Sequence, residues 1–318
     1  MRVNVAPKGQ TLRRKTPLQK ALDSIRRNWL LYLFLLPSVI YIAVFHYAPM
    51  YGLQIAFRKF RISDGFTGSK WVGLDWFERF FDSPRFWTIL GNTLALSLYS
   101  LAVNFVFPII LAFVLNNIRS KFFKKFSQTI TYMPHFISTV VLVGMISVLF
   151  DPRSGLVNTI IGWFGIEPIY FMGEAQYFRD MYVWSGVWQS IGWGSIIYMA
   201  ALAGVDPTLH EAAMIDGASK WQRIWHIDIP AILPTISIML IMSFGKVMSV
   251  GYEKVYLMQN ALNLQVSEVI STYVYKMGII NHQYSYSAAI GLFNNVINFI
   301  LVVTMNKVVK KLSGSGLW

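Results

Sequence analysis

The amino-acid sequence predicts an all-α integral membrane protein whose chain crosses the bilayer six times. Hydrophobic residues make up 55% of the 318 positions and charged ones only 14%, against about 25% charged in a soluble domain. The apolar residues are clustered in windows nearly free of charge. Each window is about 20 residues long, enough to cross roughly 30 Å of hydrocarbon at 1.5 Å per helical residue. Lysine and arginine are also spread unevenly over alternate connections, which is the mark of a fixed orientation in a membrane.

The windows fall near 29–48, 90–115, 130–150, 181–204, 231–250 and 287–307, within a membrane domain of 29–309. The segment 1–28 that precedes them carries eight lysines or arginines and has no small-residue cleavage signal. The first apolar run therefore reads as a retained helix. Pro37 and Pro108 lie inside spans, where neighbouring helices can satisfy the freed carbonyls. The head, the connections 116–129 and 205–229, and the tail with Lys307 together hold seventeen basic residues. The alternate connections 49–89, 151–180 and 251–286 hold ten, balanced by ten acidic ones. The first set is expected in the cytoplasm, with both termini, including the short tail 310–318.

That distribution accounts for the net charge of +13 without a nucleic-acid partner, and no basic and aromatic module suggests one. Cysteine is absent, which excludes disulfides, thiolate metal sites and cysteine nucleophiles. The outer connections are rich in Trp, Tyr, Phe, Gly and Pro. Such residues suit packing at the headgroup level or a docking surface for an extracytoplasmic partner, and composition does not choose between them.

The connection 205–234 differs from the rest, reading VDPTLHEAAMIDGASKWQRIWHIDIPAILP. Asp206 is an N-cap followed by Pro207 at the first helical position, and Leu209, Ala212 and Ala213 then share one face. Gly217 supplies a positive-φ stop, and Ser219 with Gln222 forms a capping box that starts a second short helix. Trp221, Ile224 and Trp225 make an apolar stripe, and Pro230 and Pro234 mark the start of the fifth span. A helical face of alanine lets another surface approach the backbone closely. HEAAM is no zinc site, because Met214 stands where a second histidine is required.

Glu211, Ala212, Ala213, Asp216, Gly217, Ala218, Ile229, Pro230 and Pro234 reproduce the EAA motif. At these residues the chain resembles the transmembrane subunits of bacterial type I ATP-binding-cassette importers, from about Trp29 to the C-terminus. Its aromatic first span is similar to that of the oligosaccharide and polysaccharide permeases, the alginate type included. The resemblance implies the six-helix type I permease fold in the bacterial cytoplasmic (inner) membrane, with 205–234 as the coupling loop. Glu211 would engage a basic residue of a separate ATPase subunit, Ala212, Ala213 and Ala218 would allow a close fit, and Gly217 would set the angle between the short helices. It further implies a second permease subunit of a different chain, an ATPase dimer that holds the ATP and Mg, an extracytoplasmic substrate-binding protein and a saccharide cargo. This chain would be non-catalytic and bind no cofactor or metal. It contains no phosphate-binding G-x-x-x-x-G-K-[ST] loop.

Polar residues inside spans are candidates for a translocation route, because an amide or charge facing lipid is costly. They are Asn104, Gln189, Ser190, Trp193, Ser243, Lys246, Ser249, Asn294, Asn295 and Asn298. Hydrogen bonds between helices would leave the same pattern. Lys246 alone is a charge deep in an apolar run; it would snorkel, pair with Glu253 seven residues on if the helix continues, or meet an acidic saccharide. A secondary transporter is the competing class, but paired acids or His chains within spans are missing. A membrane-embedded glycan-processing enzyme would need a carboxylate pair, for which only Asp151, Glu167, Glu174 and Asp180 are available.

Overall fold

The computed structural model describes residues 16, 26–314 and 316–317; most of the basic segment 1–28 lies outside them. The chain divides into two units, 1–54 and 55–318.

In the first unit α1 (Trp29–Ile42) runs through Pro37 without a break and continues as a π-turn, Ala43–Tyr47. It is apolar on every side, with Leu31, Phe34 and Val39 all exposed, as expected of a helix whose solvent is lipid.

The second unit begins with a short hairpin, β1 (Arg58–Lys59) against β2 (Lys70–Trp71), antiparallel with Arg58 opposite Trp71. Next come α2 (Asp75–Phe81), α3 (Phe86–Asn116), α4 (Lys121–Tyr132), α5 (Thr139–Leu149) and α6 (Ala175–Ala203). They are followed by α7 (Pro207–Ile215), α8 (Ile229–Phe244), α9 (Tyr252–Met258), α10 (Ile270–Tyr275) and α11 (Tyr284–Ser313). Helix α3 packs along α6 more extensively than any other pair, and α8 packs on α11 and α6.

Two aromatic residues of the 49–89 connection, Phe80 and Phe86, are core. Phe80 meets Phe86 at 5.0 Å and Phe293 at 5.7 Å between ring centroids. They cluster with Ile89, Met248, Ile270, Tyr273 and Tyr286. Edge-on ring contacts of this kind add to the gain from burial. Trp71 and Trp87 remain exposed.

Among the described residues, four helical runs are long and apolar enough to cross a membrane: Trp29–Phe57, α3, Lys220–Phe244 and α11. A bent pair, Lys121–Phe136 with Thr139–Leu149, raises the number to as many as five. Helix α6 has 29 residues, ample in length, but its Tyr, Trp, Ser and Gly residues dilute its hydropathy.

Two expected spans depart from a single helix. The window 130–150 bends by 100°, because Pro134 brings no N–H and Ser138, in extended backbone, caps a new helix by accepting from Val141 N. The window 231–250 stops at Phe244. Beyond it Met248 is buried in the cluster around Phe80, and Val250 in a second cluster with Leu96, Val183 and Val255. The helix does not continue into these residues, which form turns as far as 248 and are irregular beyond. The chain unwinds instead, and Asn298 on α11 takes up the loose ends. Its Oδ1 accepts from Met248 N at 3.0 Å and its Nδ2 donates to Ser249 Oγ at 3.0 Å.

Candidate functional site

The loop after α6 forms the caps that its sequence specifies. Asp206 Oδ1 accepts from Thr208 N at 2.9 Å, and these bonds hold its carboxyl below the usual carboxylate range. At the other end of α7, Ala218 N donates to Ala213 O at 2.8 Å and Gly217 N to Met214 O at 3.1 Å. Gly217 has φ +79°, completing a Schellman stop in which only glycine is relaxed. Ser219 and Gln222 close a reciprocal capping box, Ser219 N donating to Gln222 Oε1 at 2.7 Å. The turn Lys220–Arg223 and a π-turn, Ile224–Asp228, lead into α8 with Pro230 in its first turn.

Glu211, Ala212, Asp216, Gly217, Met214 and Leu209 are exposed, while Ala213 and Ala218 are half-buried. The Leu209, Ala212 and Ala213 face therefore stays largely open to solvent. The loop displays a pre-shaped helix whose conformation is fixed by its own backbone and whose acid and alanines are free to meet another protein.

At the other end of α8, the unwound segment borders a cavity of about 280 Å³ between α3, α6 and residues 243–251. Of the pathway candidates, Asn104, Ser243, Lys246 and Ser249 line it, with Ser97, Ser100 and Tyr182. Asn104 anchors by donating to Ser100 O at 2.9 Å, and its Oδ1 faces Ser190 Oγ at 3.5 Å. The hydroxyls of Ser97 and Ser100 are buried behind this lining without a hydrogen-bond partner. Lys246 is exposed, on the unwound chain rather than on a helix. The two-turn alignment with Glu253 therefore does not exist.

The remaining candidates lie elsewhere. Gln189 donates to Ile137 O at 2.7 Å and ties α6 to the bend between α4 and α5. One face of Trp193 is stacked by His135, at 4.5 Å and 3°, while the side chain remains exposed. Asn298 is buried as the latch on Met248, Asn295 is exposed, and Asn294 Oδ1 is buried without a partner. None of the five lines the cavity.

Sequence reasoning missed Ser97 and Ser100, although with Asn104 they recur at i, i+3 and i+7 on one face of α3. It also missed Lys254, the buried cation behind Tyr182. Its Nζ donates to Tyr182 O at 2.8 Å and lies 4.8 Å from the ring centroid of Tyr182. Gly186 makes room for it, since a Cβ there would come within 3.3 Å of Nζ. Burial pushes the Lys254 pKa down to about 8.

An exposed capped helix on one side of a helical membrane bundle and a polar cavity between its spans are features that suit a transport subunit. Residues 104–314 match the family described as binding-protein-dependent transport system inner membrane component, and the chain belongs to it. It is a non-catalytic permease subunit of an ATP-binding-cassette transporter, in the inner membrane, and the family works with a partner permease and an ATPase. It is 42% identical over 305 residues to the polygalacturonan/rhamnogalacturonan transport system permease protein YteP of Bacillus subtilis (strain 168), covering 96% of this chain and 95% of that one. It is also 42% identical to protein LplB of the same organism over 295 residues, 93% of each chain. Among solved structures, it superposes with a TM-score of 0.87 and 36% identity on a chain of a bacterial alginate transporter, covering 94% of this chain and all of that one. That transporter was crystallised in complex with a periplasmic protein carrying an alginate pentasaccharide.

Proposed function

We propose that this chain forms one half of the import pathway for an acidic oligosaccharide or polysaccharide of the uronate kind. The observation that carries the reading is the cavity, where one exposed ammonium, Lys246, stands among amide and hydroxyl groups of Asn104, Ser97, Ser100, Ser243 and Ser249. A neutral sugar needs hydroxyls and amides; a lysine facing a pathway earns its desolvation cost only when a counter-charge passes. Support also comes from relatives named for polygalacturonan and alginate, both polymers of acidic sugars.

In this reading α7 seats in a cleft of an ATPase dimer that holds the ATP and Mg. A second permease of a different sequence completes the pathway, and an extracytoplasmic binding protein delivers the saccharide. The excess of basic residues in the 1–28 segment and in the connection 116–129 supports a cytoplasmic position for that side and for both termini.

The test is uptake by the reconstituted transporter carrying Lys246→Gln, with an acidic oligosaccharide and its carboxyl-reduced neutral analogue. A loss of roughly tenfold confined to the acidic cargo is expected, the size of one charge-assisted contact. Equal effects on both cargoes would make Lys246 a structural residue and remove the case for an acidic substrate.

A further inference from the structure

Helix α7 touches the rest of the molecule through very little. Of its nine residues only His210 and Ala213 are withdrawn from solvent. Ala213 has a methyl group to offer. His210 reaches across to Asp228, with Nε2 3.1 Å from Oδ1.

Asp228 is 4% exposed and is the last residue of the π-turn before α8. It sits in a run, Lys220–Phe244, that is helical throughout. That run ends at Phe244, where the chain unwinds into the cavity through Ser243, Lys246 and Ser249. A shift of α7 therefore meets the base of α8 at the close approach of His210 to Asp228, a contact at ion-pair distance in which Asp228 Oδ1 takes no hydrogen bond, and α8 runs from there to the cavity. Around the contact lies a second, small cavity of about 220 Å³, bordered by Asn116, Asn117, Arg223 and Ile224. It leaves the joint room to move. Arg223 Nε is buried there without a hydrogen-bond partner, so the pair is not locked in by a complete hydrogen-bond network.

We propose that His210 and Asp228 are positioning residues for energy coupling, the joint by which displacement of α7 by the ATPase is handed to α8 and to the cavity at its far end. The proposal rests on the coupling role given to α7 above but not on the cargo. A π-turn at the point of contact fits this use: it is a local departure from the helix that shifts at small cost, and such turns gather at functional sites. A purely structural pair would support folding and assembly, leaving the ratio of cargo moved to ATP hydrolysed unchanged. A joint changes that ratio.

The experiment uses the whole transporter, reconstituted with its partner subunits, carrying His210→Ala, Asp228→Asn, both changes together, or His210→Gln, which keeps a hydrogen-bond donor of similar reach. Assembly, ATP hydrolysis and uptake are measured on the same preparations. Each single change is expected to leave assembly and hydrolysis in place and to lower cargo moved per ATP by roughly tenfold, the size of a coupling between groups in contact. The double variant should be no worse than either single one, and His210→Gln should recover part of the ratio. An unchanged ratio in both single variants, or losses that multiply in the double variant, overturns the proposal. If His210→Ala fails to assemble, Asp228→Asn and His210→Gln decide by the same ratio. Failure of the coupling role of α7 itself would show differently, as hydrolysis and uptake that survive Glu211→Ala.

Discussion

The two ends of α8 are built on opposite plans. At its start, the 205–228 loop is held by short-range bonds: a cap from Asp206, a Schellman stop at Gly217 and a capping box at Ser219. Almost every side chain of α7 is left to solvent. At its far end, residues 245–249 form local turns that are anchored by distant partners, with Met248 and Val250 in separate cores and Asn298 bonding the backbone from 50 residues away. The first plan keeps a shape while its surroundings change, which a docking element needs. The second lets a segment carry polar groups into a cavity without unsatisfied backbone, which a pathway lining needs.

The largest effect should come from breaking the first plan. The double change Glu211→Ala with Gly217→Val removes the exposed acid and puts a β-branched residue at φ +79°. No atom lies within 4 Å of a Cβ at Gly217, so the cost is conformational, about 1–2 kcal/mol, and confined to the end of α7. The protein should insert and fold, while ATP-driven uptake falls to background. Normal uptake by a well-expressed double variant would show that the shape of α7 is not used.

The same contrast explains which parts were legible in the sequence. Asp206–Pro207, Gly217 and Ser219…Gln222 act within a few residues of themselves, so their spacing suffices to place two short helices. The long apolar runs of α3 and α11 are legible for the same reason. The end of α8 was not, because MSFGKVMSV is apolar enough to read as helix and the partner that holds the segment after it, Asn298, is 50 residues away. The bend at 134–138 gave local signals in Pro134 and Ser138, but 130–150 as a whole satisfied the length of a span. Nothing near Trp193 in sequence announces that His135 stacks on one of its faces. Lys254, in one of the outer connections, gave no local sign of burial.

A smaller effect tests the second plan. Asn298→Leu removes both bonds to the unwound segment and leaves the buried Met248 N–H without an acceptor. The expected loss is about 2 kcal/mol, the cost of an orphaned buried donor, read as a lower melting temperature of the purified protein. Uptake should fall with it, since Ser249 and Lys246 lose their frame. An unchanged melting temperature would mean that the two cores alone hold residues 245–251.

The smallest effect sharpens the comparison at Lys254, whose ammonium donates to the Tyr182 carbonyl and lies over the Tyr182 ring. Its pKa falls from the ordinary 10.5 to about 8 in the folded chain. Between those values the unfolded chain holds a proton that the folded one has released, so stability rises with pH across that window. Below about pH 8 both states hold the proton, and the folded protein bears the full cost of burying it, on the order of 3 kcal/mol. Lys254→Met keeps the length of the side chain and removes the titration. Tyr182 O retains a contact from Ser185 Oγ at 3.3 Å, so the variant should be the more stable protein at pH 7, and the difference should shrink as pH rises towards 10. Melting curves of both proteins across that range measure it. A wild type at least as stable as Lys254→Met at pH 7 would show that the ammonium is welcomed rather than tolerated behind Tyr182, and that this end of the bundle holds a counter-charge in solution.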